Sequence, residues 1–270
     1  MTVIAGFRCT NGFVLASDQE YTYGDAFKAR GTKIVYCKEP EFGLVSAGSG
    51  SINSMELVWD RILGELDSSQ DKSFPKIVGT IRGALRKTYR QDIYPAPESD
   101  RKEFDFTLFA GLRTADGRME LFKTEKFRLL KAGAIEVAGT GWFVGNYLAH
   151  ALYPQNQTTE EAEAVAALVV KECKAFSPGV GKGTSIWVFS DDGSIQESKD
   201  ARIAVFEEYF DQMGRHLLPL TMRVASRMAS EDELANRMTS LSEHVPALSN
   251  RMLALDRTPR IISWPLPTPR

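Results

Sequence analysis

The first fifty residues alternate between short apolar runs and polar turns, a pattern that predicts paired β-strands. Apolar positions dominate residues 2–9 and 12–17, and the turn Thr10-Asn11-Gly12 separates the two runs. Asn-Gly favours the tight turn whose twist matches that of antiparallel strands, so the two runs are predicted to form a hairpin. A second strand pair is predicted at 33–37 and 42–47, and it ends at a glycine-rich turn.

Beyond residue 50 the apolar pattern changes to the period of a helix. From Ile52 to Leu66 apolar residues recur on one face, which predicts an amphipathic helix. The whole pattern contains two helix pairs that flank two sets of strands, and it implies an α+β fold, a four-layer αββα sandwich. The further predicted elements are a helix after Pro75, strands between 105 and 138, helices at 142–152 and 159–176, and a hairpin at 184–197.

Composition excludes several classes of function. A chain of 270 residues with 43% hydrophobic residues can bury a full core. The net charge of −2 and the lack of a basic stripe or zinc-ligand spacing argue against a nucleic-acid partner and a metal site. The three cysteines are odd in number and widely spaced, which is typical of reduced thiols. No apolar run is long enough to span a membrane, so we expect a cytoplasmic protein with no membrane partner.

Thr2 follows the initiator methionine directly. Removal of Met1 would leave a free amine beside the threonine hydroxyl. This amine has a reference pKa of about 7.7 to 8.0, and it can take the hydroxyl proton without help from a histidine. One residue would then carry both the nucleophile and the base of a hydrolase.

Three other residues have the chemistry that such a nucleophile needs. Lys33, as an ammonium, would hold down the pKa of the terminal amine and stabilise negative charge on the hydroxyl oxygen. Asp18 would keep Lys33 charged and aimed. The backbone N–H of Gly48, in a glycine-rich run, could face the oxyanion that develops on an attacked carbonyl.

These residues lie within sequence words that resemble one enzyme family. The words are Thr2-Val3-Ile4-Ala5-Gly6, the run from Asn11 to Asp18, Thr22-Tyr23-Gly24, Lys33-Ile34 and Ala47-Gly48. They resemble the proteasome β-subunit family and its bacterial relatives, which are N-terminal nucleophile (Ntn) hydrolases. The resemblance extends over residues 2–200 in the order of elements, and its motifs concentrate in the first 50 residues.

The resemblance implies one further catalytic residue and an assembly. Thr140, in the run Ala138-Gly139-Thr140-Gly141, stands where the family places a hydroxyl residue that contacts the terminal amine. No metal or organic cofactor is implied. Self-association into a ring or helical stack is implied, because isolated subunits of this family rarely have a complete site. An ATPase or adaptor partner is left open.

The resemblance also implies residues that bind substrate. Ser46 corresponds to the floor of the pocket that receives the side chain before the cleaved bond, and Tyr21 and Gly50 correspond to positions near its walls. An extended peptide would lie beside Thr22 and Gly48. A small, neutral floor would admit large apolar side chains.

Two positions depart from the family pattern. Glu20 stands where active β subunits usually carry an arginine, two residues after the aspartate, and it adds a negative charge beside the site. The family also has a second aspartate shortly before a Ser-Gly-Gly run. The corresponding stretch, Ser177 to Thr184, contains no carboxylate.

The composition changes after residue 200. Residues 201–270 contain nine arginines, no lysine and five of the eight methionines, and they end in a proline-rich tail. We therefore divide the chain into an Ntn hydrolase domain over 1–200 and a C-terminal helical extension over 201–270. Within the extension, Ser230 is predicted to open a helix that ends near His244, with Pro219 before it. The extension could brace a neighbouring subunit or cover apolar surface of its own chain.

The sequence thus predicts a proteasome-like threonine peptidase that cleaves peptides or unfolded proteins through an acyl-enzyme on Thr2. Two alternatives stay open: a catalytically weak or inactive scaffold subunit, and an Ntn amide hydrolase that acts on small molecules. Glu20 and the missing second aspartate favour the scaffold. Retention of Thr2, Asp18 and Lys33 opposes it.

Overall fold

Within the described residues, two antiparallel sheets of five strands each enclose a buried apolar layer. The structure is a computed structural model that describes residues 2–23, 27–153 and 156–225, with isolated positions between 236 and 254. The strands in chain order are β1 (Val3–Cys9), β2 (Gly12–Asp18), β3 (Glu20–Tyr23), β4 (Phe27–Arg30), β5 (Ile34–Lys38), β6 (Phe42–Gly50), β7 (Phe106–Thr114), β8 (Met119–Glu125), β9 (Arg128–Lys131), β10 (Ile135–Gly139), β11 (Thr184–Ser190) and β12 (Ile195–Glu197).

The strand order places strands from the start of the chain beside strands from residues 184–197. The first sheet runs β10-β1-β2-β11-β12, and the second runs β5-β6-β7-β8-β9. The β1–β2 register pairs Ile4 with Ser17 and Cys9 with Gly12, which confirms the predicted hairpin. The first sheet therefore holds the start of the chain beside strands that come more than a hundred residues later.

The layer between the sheets follows from strand alternation. Ile4 and Leu15 of the first sheet pack with Val45 and Phe109 of the second. Successive side chains of a strand point to opposite faces, so Leu44 packs instead in the layer between the second sheet and its helices.

Helices cover the outer face of each sheet. In α1 and α2, residues such as Val58, Ile62 and Ile77 pack against the second sheet, and α4 and α5 pack against the first. The four-layer αββα sandwich is therefore confirmed. At the start of α5 the Thr158 hydroxyl accepts the N–H of Glu161 and caps the helix. The helices are α1 (Ile52–Ser68), α2 (Phe74–Thr88), α3 (Arg101–Phe104), α4 (Trp142–Leu152), α5 (Thr159–Phe176) and α6 (Asp200–Ala225), with a π-helical turn over Tyr89–Ile93.

The chain forms two compact units, Met1–Ser198 and Lys199–Arg270. The second unit contains α6, a helix that was not placed within the predicted helical extension over 201–270. Pro219, taken there as a boundary before the helix from Ser230, lies inside α6. A proline inside a helix removes one backbone donor and its ring clashes with the carbonyl four residues earlier, which is why it was treated as a boundary. The helix predicted from Ser230 to His244 lies mostly outside the described residues. In the described part of the chain, no helix is long and apolar enough to cross a membrane.

Close contact between the sheets depends on a glycine in β7. A Cβ at Gly111 would lie 1.9 Å from the ring of Phe13, so Gly111→Ala should lower the free energy of unfolding by about 1 to 3 kcal/mol. Gly79→Ala is the matched control, because a Cβ at this exposed position in α2 would have no neighbour within 4 Å. That variant should be more stable than the parent by about 0.5 to 1 kcal/mol. Urea denaturation measures both, and equal stability of the two variants would contradict the account.

Candidate active site

The carboxylate of Asp18 lies at the centre of the site and is fully buried at the end of β2. Its Oδ1 accepts the backbone N–H of Val3 at 3.0 Å and the ammonium of Lys33 at 2.8 Å. Its Oδ2 accepts the backbone N–H groups of Glu20 and Gly181, each at 3.2 Å. One carboxylate therefore joins β1, the start of β3, the segment before β5 and the loop before β11.

Lys33 precedes β5, and its side chain is 1% exposed. Burial lowers the pKa of the Lys33 ammonium below its ordinary value, while the carboxylates of Asp18 and Glu20 oppose that shift. The Nζ atom lies 5.5 Å from the ring centroid of Tyr21. Lys33 is thus buried against Asp18, and its charge and catalytic role stay a prediction.

Thr2 is held through its backbone by the edge strand β10. Its carbonyl accepts the N–H of Thr140 at 2.7 Å. Gly139 makes this approach possible: it has a φ of +95°, and a Cβ there would lie 2.0 Å from the Thr2 oxygen. The structure therefore brings Thr140 to Thr2 by a main-chain contact, while Thr140 itself is exposed. A contact from the Thr140 hydroxyl to the amine stays a prediction.

Gly48 differs from expectation in one respect. Its N–H donates to the carbonyl of Lys33 at 3.0 Å. The amide predicted to face an oxyanion is therefore already engaged, and a substrate oxygen would have to share or displace that bond. Gly48 also lies under Met55, since a Cβ at Gly48 would be 2.2 Å from the Met55 sulfur.

A small pocket opens at Thr2 and contains some of the predicted substrate-binding residues. Tyr21 and Gly50 line it, as expected. Ser46 is buried and is not one of its lining residues, whereas Met55 of α1 is. The role of Ser46 as the pocket floor stays a prediction. The side chain of Thr22 lies outside the described residues. The lining residues are Thr2, Glu20, Tyr21, Lys33, Gly48, Gly50, Ile52 and Met55.

Sequence reasoning missed the part that Ile52 and Met55 take in this pocket. Both residues fit the apolar face of α1, and nothing in that pattern separates a core residue from a pocket residue. The position of Glu20 was detectable, because residues two apart in an extended chain share a face, and Glu20 follows Asp18 by two. Glu20 was noted only as a departure from the family pattern.

The loop without a carboxylate is bonded to the site. Besides the contact from Gly181 to Asp18, the carbonyl of Gly183 accepts the N–H of Gln19 at 3.0 Å. A Cβ at Gly183 would lie 2.2 Å from the Gln19 amide oxygen. The loop therefore contributes main-chain donors and acceptors where the resemblance led us to expect an aspartate side chain.

Within the described residues, the three cysteines are poor candidates for a nucleophile, and a metal site is not supported. Burial raises the pKa of the Cys173 thiol to about 12 and that of Cys9 and Cys37 to about 11, so each is far from the reactive thiolate form. Over the same part of the chain, no group of three or more His, Cys, Asp or Glu side chains is placed to hold a metal ion.

Comparison with known proteins gives the fold. No family model matches the chain, and no curated protein is similar to it. Solved structures that are similar include Anbu (ancestral beta-subunit) from Yersinia bercovieri, with a TM-score of 0.70 and 13% identity over 82% of this chain and 97% of that one. An Anbu (Gly-1) mutant from Hyphomicrobium sp. strain MC1 has a TM-score of 0.70 and 15% identity over 82% of this chain and all of that one.

A third similar structure is a helical assembly of the Anbu complex from Pseudomonas aeruginosa, with a TM-score of 0.66 and 15% identity over 81% of this chain and 96% of that one. The chain has a proteasome-like Ntn fold. The assignment to the proteasome β-subunit family is wrong, because these neighbours are Anbu proteins, which are distinct from that family.

The buried pair of Asp18 and Lys33 makes a testable contribution to stability. Lys33→Met should lower the free energy of unfolding by about 3 to 5 kcal/mol, because it leaves a carboxylate buried without its cation. Asp18→Asn combined with Lys33→Met should recover part of that loss. Lys123→Met is the control: its ammonium pairs with Glu136 at 3.1 Å on a partly exposed face, and its loss should cost less than about 1 kcal/mol. Similar costs for both lysine variants, measured by urea denaturation at pH 7, would contradict the account.

Proposed function

We propose that the processed chain is a threonine peptidase that uses Thr2, freed by removal of Met1, as its nucleophile. The observation that carries the proposal is the double role of Asp18. Its Oδ1 accepts both the N–H of Val3, the residue next to Thr2, and the ammonium of Lys33. The candidate nucleophile and the cation are therefore positioned by the same buried atom.

In the first step, the Thr2 hydroxyl oxygen attacks the carbonyl carbon of a peptide bond, and its proton passes to the Thr2 amine. The carbonyl π electrons move to oxygen and form an oxyanion. Lys33 stabilises negative charge near the nucleophile, and the Gly48 N–H is the nearest predicted donor to the oxyanion. That donor must be shared with the Lys33 carbonyl, and two-acceptor N–H bonds of this kind are common in proteins.

In the second step, the oxyanion collapses, the C–N bond breaks, and the terminal ammonium of Thr2 gives its proton to the leaving amine. An ester then joins the substrate acyl group to the Thr2 oxygen. Water attacks this ester while the Thr2 amine accepts its proton. Release of the carboxylic acid returns the hydroxyl and the neutral amine.

The second sheet offers an edge for an extended substrate. The β5–β6 pairing ends at Ile34 and Ala47, whereas β6 continues to Gly50 along β7. The Gly48 N–H also donates to the Lys33 carbonyl, so among the described residues of β6 the one-sided stretch is Ser49 and Gly50, which pair with β7. Gly50 is exposed beside the Thr2 pocket. An extended peptide or a segment of unfolded protein can add to such an edge through main-chain hydrogen bonds. We propose this edge as the substrate site.

We also propose that the chain self-associates and acts in the cytoplasm. The Anbu complex from Pseudomonas aeruginosa forms a helical assembly. A comparable stack of this chain would wall off the Thr2 pocket from folded proteins. Peptides and unfolded segments would then be the substrates that reach it.

Two observations favour an alternative function. The Gly48 N–H donates to Lys33, and the loop 177–184 carries no second aspartate. Both features suit a scaffold subunit that keeps the fold without the chemistry. The alternative and the peptidase differ in whether Thr2 reacts.

Intact-protein mass spectrometry after incubation with a peptide epoxyketone tests the proposal. This reagent forms its ring adduct only with a terminal residue that has both a free amine and a hydroxyl. We expect loss of Met1 and an adduct of one reagent per chain in the parent protein. Thr2→Ala should give no adduct, and Lys33→Met should slow its formation by at least about a hundredfold, the cost of losing one preorganised electrostatic group.

Thr10→Ala serves as the matched control, because this exposed threonine lies at the far end of β1. It should react at the parent rate. Retained Met1, or a free Thr2 that does not react in the assembled protein, would overturn the peptidase and favour the scaffold.

A further inference from the structure

Glu20 is a buried carboxylate in the wall of the Thr2 pocket that the mechanism above does not use. Its side chain is 7% exposed, and it lines the pocket together with Thr2 and Lys33. Buried carboxylates are costly unless they are paired. A carboxylate retained in such a place therefore calls for a cation.

Lys28 supplies only part of that pairing. Its ammonium lies 2.6 Å from Glu20 Oε1, but its side chain is 52% exposed. The same oxygen is buried and accepts no hydrogen bond from the described residues. Lys28 thus gives an ion pair that water screens, and Oε1 keeps its capacity to accept a hydrogen bond.

The buried charged groups of the pocket sum to one negative charge, which one more cation would neutralise. Asp18 and Lys33 are both almost fully buried and neutralise each other. Glu20 then leaves one negative charge uncompensated among the buried groups. A terminal ammonium on processed Thr2, in the same pocket, would restore neutrality.

The chain builds space for this carboxylate. A Cβ at Gly181 would lie 2.4 Å from Glu20 Oε2 and 3.1 Å from its Cδ. Gly181 also donates its N–H to Asp18 at 3.2 Å, so the loop cannot retreat without breaking that bond. A glycine at 181 therefore lets the loop hold Asp18 and admit Glu20 at once.

We propose that Glu20 is the positioning residue for the terminal amine of Thr2, and that Gly181 exists to admit its carboxylate. The proposal rests on the proposed function of Thr2. It also accounts for the two departures from the family pattern. The loop 177–184 lacks the family's second aspartate, and Glu20 of β3 would supply a carboxylate in its place.

A carboxylate beside the amine favours the ammonium form and so raises the pKa of the amine. Because the neutral amine is the base, the rate should rise with pH through this pKa. In Glu20→Gln the ammonium loses that support, so the rising limb of the pH–rate curve should shift to lower pH by about one unit. The rate on the high-pH plateau should fall by about three- to tenfold, the cost of a badly placed base.

The other charged or titratable groups around Glu20 are the same in the parent and in Glu20→Gln, so they cannot cause a difference between them. They come from β2, β4, the segment before β5, the loop before β11 and β3 itself, and they are Asp18, Lys28, Arg30, Lys33, Lys182 and Tyr21.

The experiment measures the epoxyketone reaction rate from pH 5 to 9 in the full chain. Gly181→Ala should push the carboxylate aside and reproduce the shift of Glu20→Gln. The double variant should shift no further than either single variant, because both remove the same contact. Gly183→Ala is the matched control in the same loop, since its Cβ would meet Gln19 instead, and its limb should stay with that of the parent.

Lys28→Met distinguishes an electrostatic effect on the amine from a loss of structure. It keeps the carboxylate and removes a cation, so the rising limb should move up, by less than about half a pH unit because Lys28 is half exposed. A loss of structure would slow the reaction without shifts of opposite sign. Limbs that coincide for the parent, Glu20→Gln and Gly181→Ala would overturn the inference and leave Thr2 as the nucleophile.

A second measurement does not need catalysis. The pH dependence of Thr2 acetylation by acetic anhydride, followed by peptide mass, reports the pKa of the terminal amine even if the epoxyketone never reacts. We expect that pKa to be about one unit lower in Glu20→Gln and Gly181→Ala than in the parent. An unchanged pKa overturns the inference alone, and a retained Met1 overturns it together with the proposed function.

Discussion

The buried carboxylate of Asp18 is the interaction on which the candidate site depends. A carboxylate without solvent is stable only if donors surround it, and Asp18 has three backbone N–H groups and the Lys33 ammonium. Those donors come from parts of the chain as distant as Val3 and Gly181. The need to satisfy one charge therefore fixes the start of the chain, the cation and the loop before β11 relative to each other.

Charge and close packing act together in this arrangement. Burial lowers the pKa of the Lys33 ammonium, and the carboxylates of Asp18 and Glu20 oppose that shift. Glycines provide the room: Gly139 lets β10 approach the Thr2 carbonyl, and Gly181 lets the loop pass Glu20. A Cβ at Gly139 would collide with the Thr2 carbonyl, and one at Gly181 with the Glu20 carboxylate.

Much of the fold was predictable because it follows from local periodicity. The Asn11-Gly12 turn and the face of α1 are signals carried by consecutive residues, and both are confirmed. The short hairpin of β3 and β4 was not predicted, since four-residue strands with charged positions show no clear period. The extension over 201–270 was predicted to be helical, but α6 itself was not placed, and Pro219, taken as a boundary, lies inside it.

The sequence predicted which residues form the candidate site. It did not predict which groups their hydrogen bonds join. The spacing of Thr2, Asp18 and Lys33 identified residues that the structure does bring together. That the Gly48 N–H points to Lys33, or that Met55 closes the pocket, depends on strand register and helix packing that no sequence word records. The family was misassigned: the similar structures are Anbu proteins, and the sequence words were matched to the proteasome β-subunit family.

The most direct test of the central claim is a crystal structure of the processed, assembled protein after reaction with a peptide epoxyketone. The account predicts continuous density from the reagent to both the amine and the hydroxyl oxygen of Thr2, with Asp18 still accepting the Val3 N–H and the Lys33 ammonium. An empty pocket behind a retained Met1, or a reagent bound without bonds to Thr2, would contradict it.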